Sequence, residues 1–412
     1  MINSFKNFLP FFLPFAIPFS RSVADITVIL ISLLFLIKSY EENDWKWLKE
    51  SWVKLSFTFV AYCIFINSSL SINKTESFYY SLFFLRWPIF AAALSFWIFN
   101  DTQKLKIFLK VLSLILIFLL FDIWFQYFFG KDIFGIEIMT YNQRLTGPLS
   151  GPYVGMWVTK IFSITFLIFF LFKKNFFLKN SRFLIFFPTC FLILFFSVFI
   201  TGERMALLMT IMTILLIFIG LIGNKTFSFF SLFFFFLFIF FILYIISYAL
   251  PYEMNRGVYS TIEKISNWKN SDYGLVWMSA YDVWMLNPFF GAGLHQYRDA
   301  CESLQIYGTF HDPIGAGVCF HPHNITMQLL SETGLVGFII FYMIVFMITI
   351  ELLNIYLKKG KWLLSFVMIN IILTCFLPIQ SNTDFFSNKY SSIIWLIVGV
   401  SIAFKKLSKI PD

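Results

Sequence analysis

The chain has 412 residues, of which 59% are hydrophobic and only 13% are charged, and its formal net charge at pH 7 is +9. A soluble protein has about 25% charged residues, so this composition excludes a soluble protein of two or three domains and indicates a membrane protein. In a membrane protein an excess of Lys and Arg first reflects orientation in the bilayer, and nucleic acid is therefore not an expected partner.

Apolar segments long enough to cross a bilayer follow one another along most of the chain. A bilayer core about 30 Å thick needs about 20 apolar residues per helix. The first segment contains Pro10, Pro14 and Pro18 and lacks a small-residue cleavage site, so we interpret it as a short span and not as a cleaved signal peptide. The other predicted spans cover residues 23–39, 52–70, 78–99, 105–129, 151–172, 183–201, 204–222, 227–250, 326–357, 361–379 and 391–405. The predicted fold is all-α and polytopic, with about twelve transmembrane helices.

The distribution of basic residues predicts the orientation of these spans. Twelve spans put both termini on one side, where nineteen Lys and Arg fall, against ten on the other side. Four of those ten belong to one long loop, which the positive-inside rule discounts. We therefore predict cytoplasmic termini, with helices 1–9 in residues 1–250, one large outer loop with short helices in residues 251–325, and helices 10–12 in residues 326–412.

The long outer loop contains one helical pattern and two cysteines. Trp277, Tyr281 and Trp284 recur at helical spacing, which predicts an amphipathic helix lying on the membrane surface or on the helical bundle. Cys301 and Cys319 are the only cysteines outside apolar segments. A pair of thiols in an oxidising compartment predicts a disulfide, with two free thiols as the alternative.

Four charged residues fall in, or at the edge of, predicted spans: Arg86, Asp122, Lys160 and Arg204. Charges inside a membrane are costly, so each needs a reason. Their common depth predicts a polar cavity that opens outward. As an alternative, Arg86 and Lys160 fix helix packing, by pairing with Asp122 or by reaching the interface. The planar guanidinium of Arg204 is suited to two oxygens of a diphosphate, and the alternative is an ordinary interfacial anchor.

The segment His321–Asn324 is the strongest candidate for chemistry. A neutral imidazole is a suitable base for a sugar hydroxyl, and His323 is the candidate. Zinc binding by the two histidines is a weaker alternative, because the chain has only four His and no spacing of the H-E-x-x-H type. Glu332 follows on the opposite face of a continuous helix. It either shapes the helix entry or acts from beyond a break near Gly334.

Several segments together carry the motifs of a known family. They are Arg144–Pro148, Gly202–Arg204, Asn287–Gly293, Tyr297–Cys301, and His321–Asn324 with Gln328, Glu332, Thr333 and Gly334. They resemble the O-antigen ligase and polymerase superfamily over about residues 140–345. The resemblance implies a GT-C-like membrane glycosyltransferase that acts without metal, nucleotide or other cofactor.

The resemblance also implies residue roles. Arg204 would hold a diphosphate and His323 would act on the acceptor. Many members have an Arg where this chain has Tyr273, so we expect the second diphosphate ligand at Arg298, with Arg256 or Arg144 as substitutes. The remaining predicted substrate-binding residues are His321, Asn324, Glu332, Arg86 and Lys160.

In the family, a polyprenyl-diphosphate-linked glycan is transferred in the periplasm of Gram-negative bacteria. The expected partners here are therefore an undecaprenyl-diphosphate-linked donor, a lipid A–core acceptor and the lipids of the inner membrane. Direct displacement would invert the anomeric configuration. Two alternatives stay open, namely a polymerase of the same superfamily and a transporter or flippase, although a transporter would be expected to have two related halves with paired broken helices.

Overall fold

A computed structural model of the protein describes residues 2–138, 144–149, 151–171, 182–249, 251–304, 319–358, 361–381 and 383–408. The helices are α1 (Ile2–Phe19), α2 (Arg21–Glu41), α3 (Ser51–Leu70), α4 (Lys74–Ile98), α5 (Thr102–Phe129), α6 (Val154–Leu171), α7 (Arg182–Thr201), α8 (Arg204–Gly223), α9 (Phe229–Ala249), α10 (Ser260–Ser266), α11 (Asp272–Leu286), α12 (Tyr297–Ser303), α13 (Ile325–Lys358), α14 (Trp362–Phe376) and α15 (Asn388–Leu407). Within these ranges only two isolated β-bridges form, and no strand. The predicted all-α polytopic fold is confirmed.

Nine of the described helices are long and apolar enough to cross a membrane, namely α2 to α6, α8, α9, α13 and α15. Two shorter apolar helices are α14 and Ile185–Thr201, which is part of α7. A helix overlaps every predicted span, including the proline-containing α1. The count of twelve membrane crossings stays a prediction.

The bundle has a buried centre and one peripheral helix. Helix α15 packs against α2 and α4, and 83% of the residues in its apolar 18-residue stretch are buried. Helix α6 packs against α5, α7, α8 and α14. In contrast, only 11% of the residues in the apolar stretch of α9 are buried, so the Phe-rich surface of this helix is suited to lipid. Helices α6 and α15 are therefore each held by several neighbouring helices.

Helix α11 forms where the aromatic pattern predicts a helix, and it packs against α13. The buried face of this helix is not the aromatic one. It consists of Gly274, Val276, Ser279, Ala280 and Val283. Tyr281 is exposed, and Trp277 and Trp284 are half-buried. Of the two locations that the sequence left open, the contact with α13 favours the bundle, and small residues on the packed face allow the close approach of two helices.

Helix α13 breaks at Gly334, where φ is 65° and ψ is −174°. A broken helix in a membrane leaves main-chain groups that need partners. The loop between α11 and α12 supplies them. Four N–H···O bonds of 2.9 to 3.1 Å run from Leu335 to Pro288, from Val336 to Phe289, from Ala292 to Ser331 and from Gly293 to Glu332. The Asn287–Gly293 motif thus fills the break that the sequence places near Gly334.

Two glycines let the chains approach this closely. A Cβ atom on Gly334 would lie 2.4 Å from the carbonyl carbon of Phe289, and one on Gly291 would lie 2.5 Å from that of Glu332. Asn67, buried inside α3, binds the same region by donating to the carbonyls of Phe290 (2.7 Å) and Glu332 (2.9 Å). The break is therefore fixed from two sides.

Candidate active site

The turn between α7 and α8 joins Arg204 to the start of α6. The Glu203 carboxylate accepts hydrogen bonds from the N–H groups of Gly155 (2.6 Å) and Met156 (3.2 Å) in the first turn of α6. A carboxylate is stable there because the first N–H groups of a helix have no partner within it. Arg204 begins α8, is half-buried, and donates to the Ser260 hydroxyl at 3.0 Å. Glu203 thereby ties Arg204 to the start of α6.

The rings of the two histidines in the His321–Asn324 motif contact each other. Their ring centroids are 3.7 Å apart, with a tilt of 45°. His321 is buried and His323 is half-buried, with a left-handed φ of 51°. The Tyr273 ring contacts His323 edge-on at 5.9 Å. The position at which many family members have an Arg therefore lies directly beside the candidate base.

Asn324 fixes the start of α13. Its Oδ1 accepts from the N–H of Met327 (2.9 Å), as a helix N-cap does. Its Nδ2 donates to the carbonyls of Pro378 (2.9 Å) and Gln380 (3.4 Å) in the connection between α14 and α15. Asn324 thus has a structural role, in addition to any contact with substrate.

One path of contacts connects the two motifs. From Asn324 it leads to Gln380, whose side-chain amide donates to the Met156 sulfur at 3.2 Å. The N–H of Met156 in turn donates to Glu203, the residue before Arg204. Helices α6, α8 and α13 therefore begin at the same end of the bundle, which we call the motif end.

Arg86 and Lys160 are involved in helix packing. Arg86 Nη2 donates to Asn388 Oδ1 at 2.7 Å and lies 3.1 Å from Asp25 Oδ1. The fully buried Lys160 ammonium donates to the Thr374 carbonyl. The pairing with Asp122 that the sequence suggested does not form. Asp122 instead accepts from the N–H of Ile133 at 2.9 Å. Packing, with partners other than Asp122, is the alternative that these contacts favour.

Glu332 precedes the break and is 2% exposed. Its carboxylate accepts from the N–H of His295 (2.7 Å) and from Nε2 of Gln328 (3.1 Å). The same Gln328 nitrogen also donates to Asp384 at 2.6 Å. Of the two roles that the sequence left open, shaping the helix entry fits this placement. Action from beyond the break is wrong, because Glu332 lies on the near side of Gly334.

Arg298 and the cysteines lie on and around α12. Arg298 Nε donates to Glu302 Oε1 at 2.9 Å, and the Arg298 side chain is 56% exposed. Cys301 and Cys319 form a disulfide, with Cα atoms 5.4 Å apart. The disulfide joins α12 to the segment that enters the His321–Asn324 motif.

The buried side of α12 contains Tyr297, which is 2% exposed. Burial raises the pKa of its phenol above the ordinary value, and the nearby carboxylates of Glu332 and Asp282 raise it further. The phenol therefore stays neutral. Tyr297 packs with both cysteines in a small hydrophobic cluster separate from the main core.

The other two arginines flank the same end. Arg256 belongs to the π-helical turn Asn255–Tyr259, directly before Ser260, and its side chain lies outside the described residues. Arg144 is the first residue of the non-helical segment 144–149, which precedes α6 in the chain. This segment is held by the side chain of Gln126, whose Oε1 accepts hydrogen bonds from the N–H groups of Thr146 (3.0 Å) and Gly147 (2.9 Å).

Metal binding finds no support among the described residues, which contain no group of three or more His, Cys, Asp or Glu placed to hold an ion. His311 lies outside those residues. The expected lack of a metal stays a prediction.

Sequence reasoning missed two polar residues at this end. Glu203 belongs to the Gly202–Arg204 motif, but the sequence assigns it no function. Lys389 enters the sequence analysis only as one of the basic residues that predict the orientation of the spans. The Lys389 ammonium donates to the Tyr153 hydroxyl, and it lies 4.4 Å from the centroid of that ring and 5.8 Å from that of Trp157. The available signal was the position of Lys389 at the start of a predicted span.

Comparison with known families supports the resemblance. Residues 189–342 match the family model described as O-Antigen ligase. This segment of the chain is therefore similar to the O-antigen ligase family. The matched segment includes Arg204, the loop that fills the break, and His323. It implies a ligase- or polymerase-like membrane enzyme with polysaccharide or lipid substrates. No curated protein matches the chain.

Proposed function

We propose that the chain is an O-antigen ligase-type glycosyltransferase that moves a glycan from undecaprenyl diphosphate to lipid A–core. In this proposal both termini are cytoplasmic and the motif end faces the periplasm. The observation that carries the proposal is the path of contacts from Asn324 through Gln380 and Met156 to Glu203. It supports one site that combines an Arg and a His motif.

The donor's location explains the need for a cation at a helix start. Its lipid tail stays in the bilayer, so its diphosphate must lie at the membrane face. Attack on the anomeric carbon breaks the bond between the sugar and the diphosphate oxygen, and negative charge grows on the leaving group. Arg204 would stabilise that charge, and the gain is larger in a site that excludes water.

The acceptor's hydroxyl needs a base. His323 would take its proton as the new glycosidic bond forms, and would later release that proton to solvent. His321 and Tyr273, which contact the His323 ring, would hold it in position. The step uses only side chains of this protein, and displacement in a single step inverts the anomeric configuration.

The role of Arg204 can be tested with purified protein, the lipid-linked donor and the acceptor. Arg204→Ala should weaken both donor binding and transfer. Arg204→Lys should restore only part of the loss, because a point charge cannot make the two-pronged contact of a guanidinium. Arg21→Ala, at the exposed start of α2, is the matched control. Wild-type donor binding in Arg204→Ala would overturn the assignment.

A strain that lacks the protein separates the possible functions. Loss of all long surface chains, with lipid-linked polymer accumulating in the periplasm, is expected for a ligase. Caps of a single repeat unit would instead indicate a polymerase, and donor retained on the cytoplasmic side would indicate a transporter. A reporter fused at residue 270 that is active only in the cytoplasm would overturn the orientation.

A further inference from the structure

We infer that residues 130–138 form a re-entrant hairpin, which folds back from the end of α5 and inserts its apolar tip among the lipid chains at the motif end. The buried carboxylate of Asp122 in α5 holds the hairpin there. The inference concerns the contact of the protein with its membrane, and it does not depend on the proposed glycan transfer.

Hydrogen bonds within the segment define the hairpin. The N–H of Asp132 donates to the carbonyl of Ile136 at 2.9 Å, and the N–H of Gly135 donates to the carbonyl of Asp132 at 3.0 Å. The Asp132 carboxylate accepts from the N–H of Ile136 at 2.5 Å, a contact by which Asp side chains stabilise turns. An isolated β-bridge between Lys131 and Glu137 closes the open end. The segment therefore has a defined structure of its own.

Two contacts place the tip of the hairpin beside α5 and not beyond its end. Asp122 Oδ1 accepts from the N–H of Ile133 at 2.9 Å, and the rings of Phe134 and Phe118 meet edge-on with centroids 6.2 Å apart. Asp122 and Phe118 lie seven and eleven residues before Phe129, the last residue of α5. At a rise of about 1.5 Å per residue, these are about 10 and 16 Å along the helix axis. The hairpin therefore runs back alongside a helix that is long and apolar enough to cross the membrane.

The exposed side chains of the hairpin are divided by polarity. At the tip, Ile133, Phe134 and Ile136 are 42%, 67% and 40% exposed. At the open end, Lys131 and Glu137 are exposed. Apolar side chains suit the lipid interior, and charged side chains suit the interface between lipid and water. This division fits a hairpin whose tip is inserted and whose open end lies at the interface.

The apolar tip continues the exposed apolar surface of α5. Leu114, Ile117 and Phe121 lie on one side of that helix and are 60% to 65% exposed. Because α5 has 28 residues, its length of about 42 Å exceeds the bilayer core of about 30 Å. A helix end that projected into water would expose both Phe128 and Phe134 to water, whereas a tilted helix keeps both in lipid. Lipid is therefore the partner that this surface fits.

The hairpin also explains two buried polar residues inside α5. Non-helical backbone at membrane depth is tolerated only where its polar groups have partners. Asp122 supplies one partner to the N–H of Ile133, and Gln126 supplies another, because its Nε2 donates to the carbonyl of Ile136 at 3.1 Å. Gln126 also holds the segment 144–149. The hairpin thereby connects that segment of the motif end to the surrounding lipid.

The test measures the surroundings of a spin label on the full-length protein, reconstituted in vesicles of phosphatidylethanolamine and phosphatidylglycerol. The label is attached to Phe134→Cys or Glu137→Cys in a Cys190→Ser background, because the other free cysteines, Cys63 and Cys375, are buried. At Phe134→Cys, relaxation by lipid-soluble oxygen should exceed relaxation by a water-soluble nickel complex. At Glu137→Cys the order should be reversed. The background protein without an added cysteine is the control.

Each other result at the tip would contradict the inference. A Phe134→Cys label that the nickel complex reaches more readily than oxygen would overturn it, because the tip would then lie in water. A label shielded from both would also overturn it, because protein would then cover the tip.

Variants of Asp122 test what holds the hairpin in place. Asp122→Leu removes the acceptor of the Ile133 N–H and should make the Phe134→Cys label accessible to the nickel complex. Asp122→Asn keeps an accepting oxygen and should leave the label in lipid. Unchanged contact with oxygen and nickel in Asp122→Leu would overturn the role of Asp122.

Discussion

Two neighbouring regions at the motif end differ in how deeply their functional polar groups are buried. In the first, which we call the frame (residues 287–295 and 328–336), main-chain groups and the Glu332 carboxylate bind other groups of the protein. In the second, the rim (residues 153–157, 203–204, 321–324 and 389), Arg204, His323 and Lys389 are half-buried and contact hydroxyls or aromatic rings. A rigid frame beside such a rim is the arrangement that holds functional groups in place for a ligand.

The comparison predicts that losing an imidazole has different effects in the two regions. His323→Ala, in the rim, should lower transfer about 10²- to 10⁴-fold, the usual contribution of a general base. Donor binding and melting temperature should stay near wild type. His295→Ala removes the frame imidazole that stacks on Tyr80, and should leave transfer per folded molecule intact. Full activity of His323→Ala would refute the assignment. Loss of transfer in His295→Ala at an unchanged melting temperature would move the base to His295.

Adding one methyl group at the helix break, Gly334, should strongly lower the stability of the protein. Gly334→Ala places a Cβ atom 2.4 Å from the Phe289 carbonyl carbon, in a backbone region that is essentially restricted to glycine. Its cost should clearly exceed the about 1–2 kcal/mol of a left-handed residue alone. Gly135→Ala is the matched control, because Gly135 has a φ of 88° and nothing within 4 Å of an added Cβ. Equal falls in melting temperature for the two variants would show that the close packing at the break is not required.

The disulfide should stabilise the segment that leads from the frame to the rim. It links residues 18 apart, and a loop of that size is worth roughly 3 kcal/mol in the chain-entropy model. Cys319→Ser should lower the melting temperature and reduce transfer, whereas Cys190→Ser, at a free cysteine, should do neither. Alkylation and mass spectrometry should find Cys301 and Cys319 blocked only before reduction. Free thiols at both positions in protein exported to an oxidising compartment would contradict this expectation.

The smallest expected effect separates a frame role of Glu332 from a substrate role. In wild type, the Glu332 carboxylate accepts from the His295 N–H and from Gln328 Nε2. Glu332→Gln has only one accepting oxygen, so its NH₂ group would face at least one of these buried donors, which should cost about 1–3 kcal/mol of stability. Transfer per folded molecule should be unchanged. Glu302→Gln breaks the exposed pair with Arg298 and should cost about 0–1 kcal/mol. An unchanged melting temperature with lost transfer would place Glu332 among the substrate ligands.

Much of this protein could be predicted from its sequence, because the deciding signals are local. Composition and apolar segments of bilayer length determine the membrane class and the helix positions. The His321–Asn324 motif and Arg204 stand out as polar groups beside apolar segments. A Gly at position 334 inside a long apolar segment indicates the break, and two cysteines outside such segments indicate their pairing. Each of these inferences needs only residues close together in the chain, or a count.

Only the tertiary structure decided the partners. Lys389 and Tyr153 are 236 residues apart, Arg86 and Asn388 are 302 apart, and Glu203 binds a turn 47 residues earlier. The packed face of α11 also depends on α13, because the small residues that allow a close approach become significant only once the neighbouring helix is in place. Helical periodicity specifies which residues share a face, but not which distant helix meets that face, so the contact of Lys389 with Tyr153 became visible only in the folded chain.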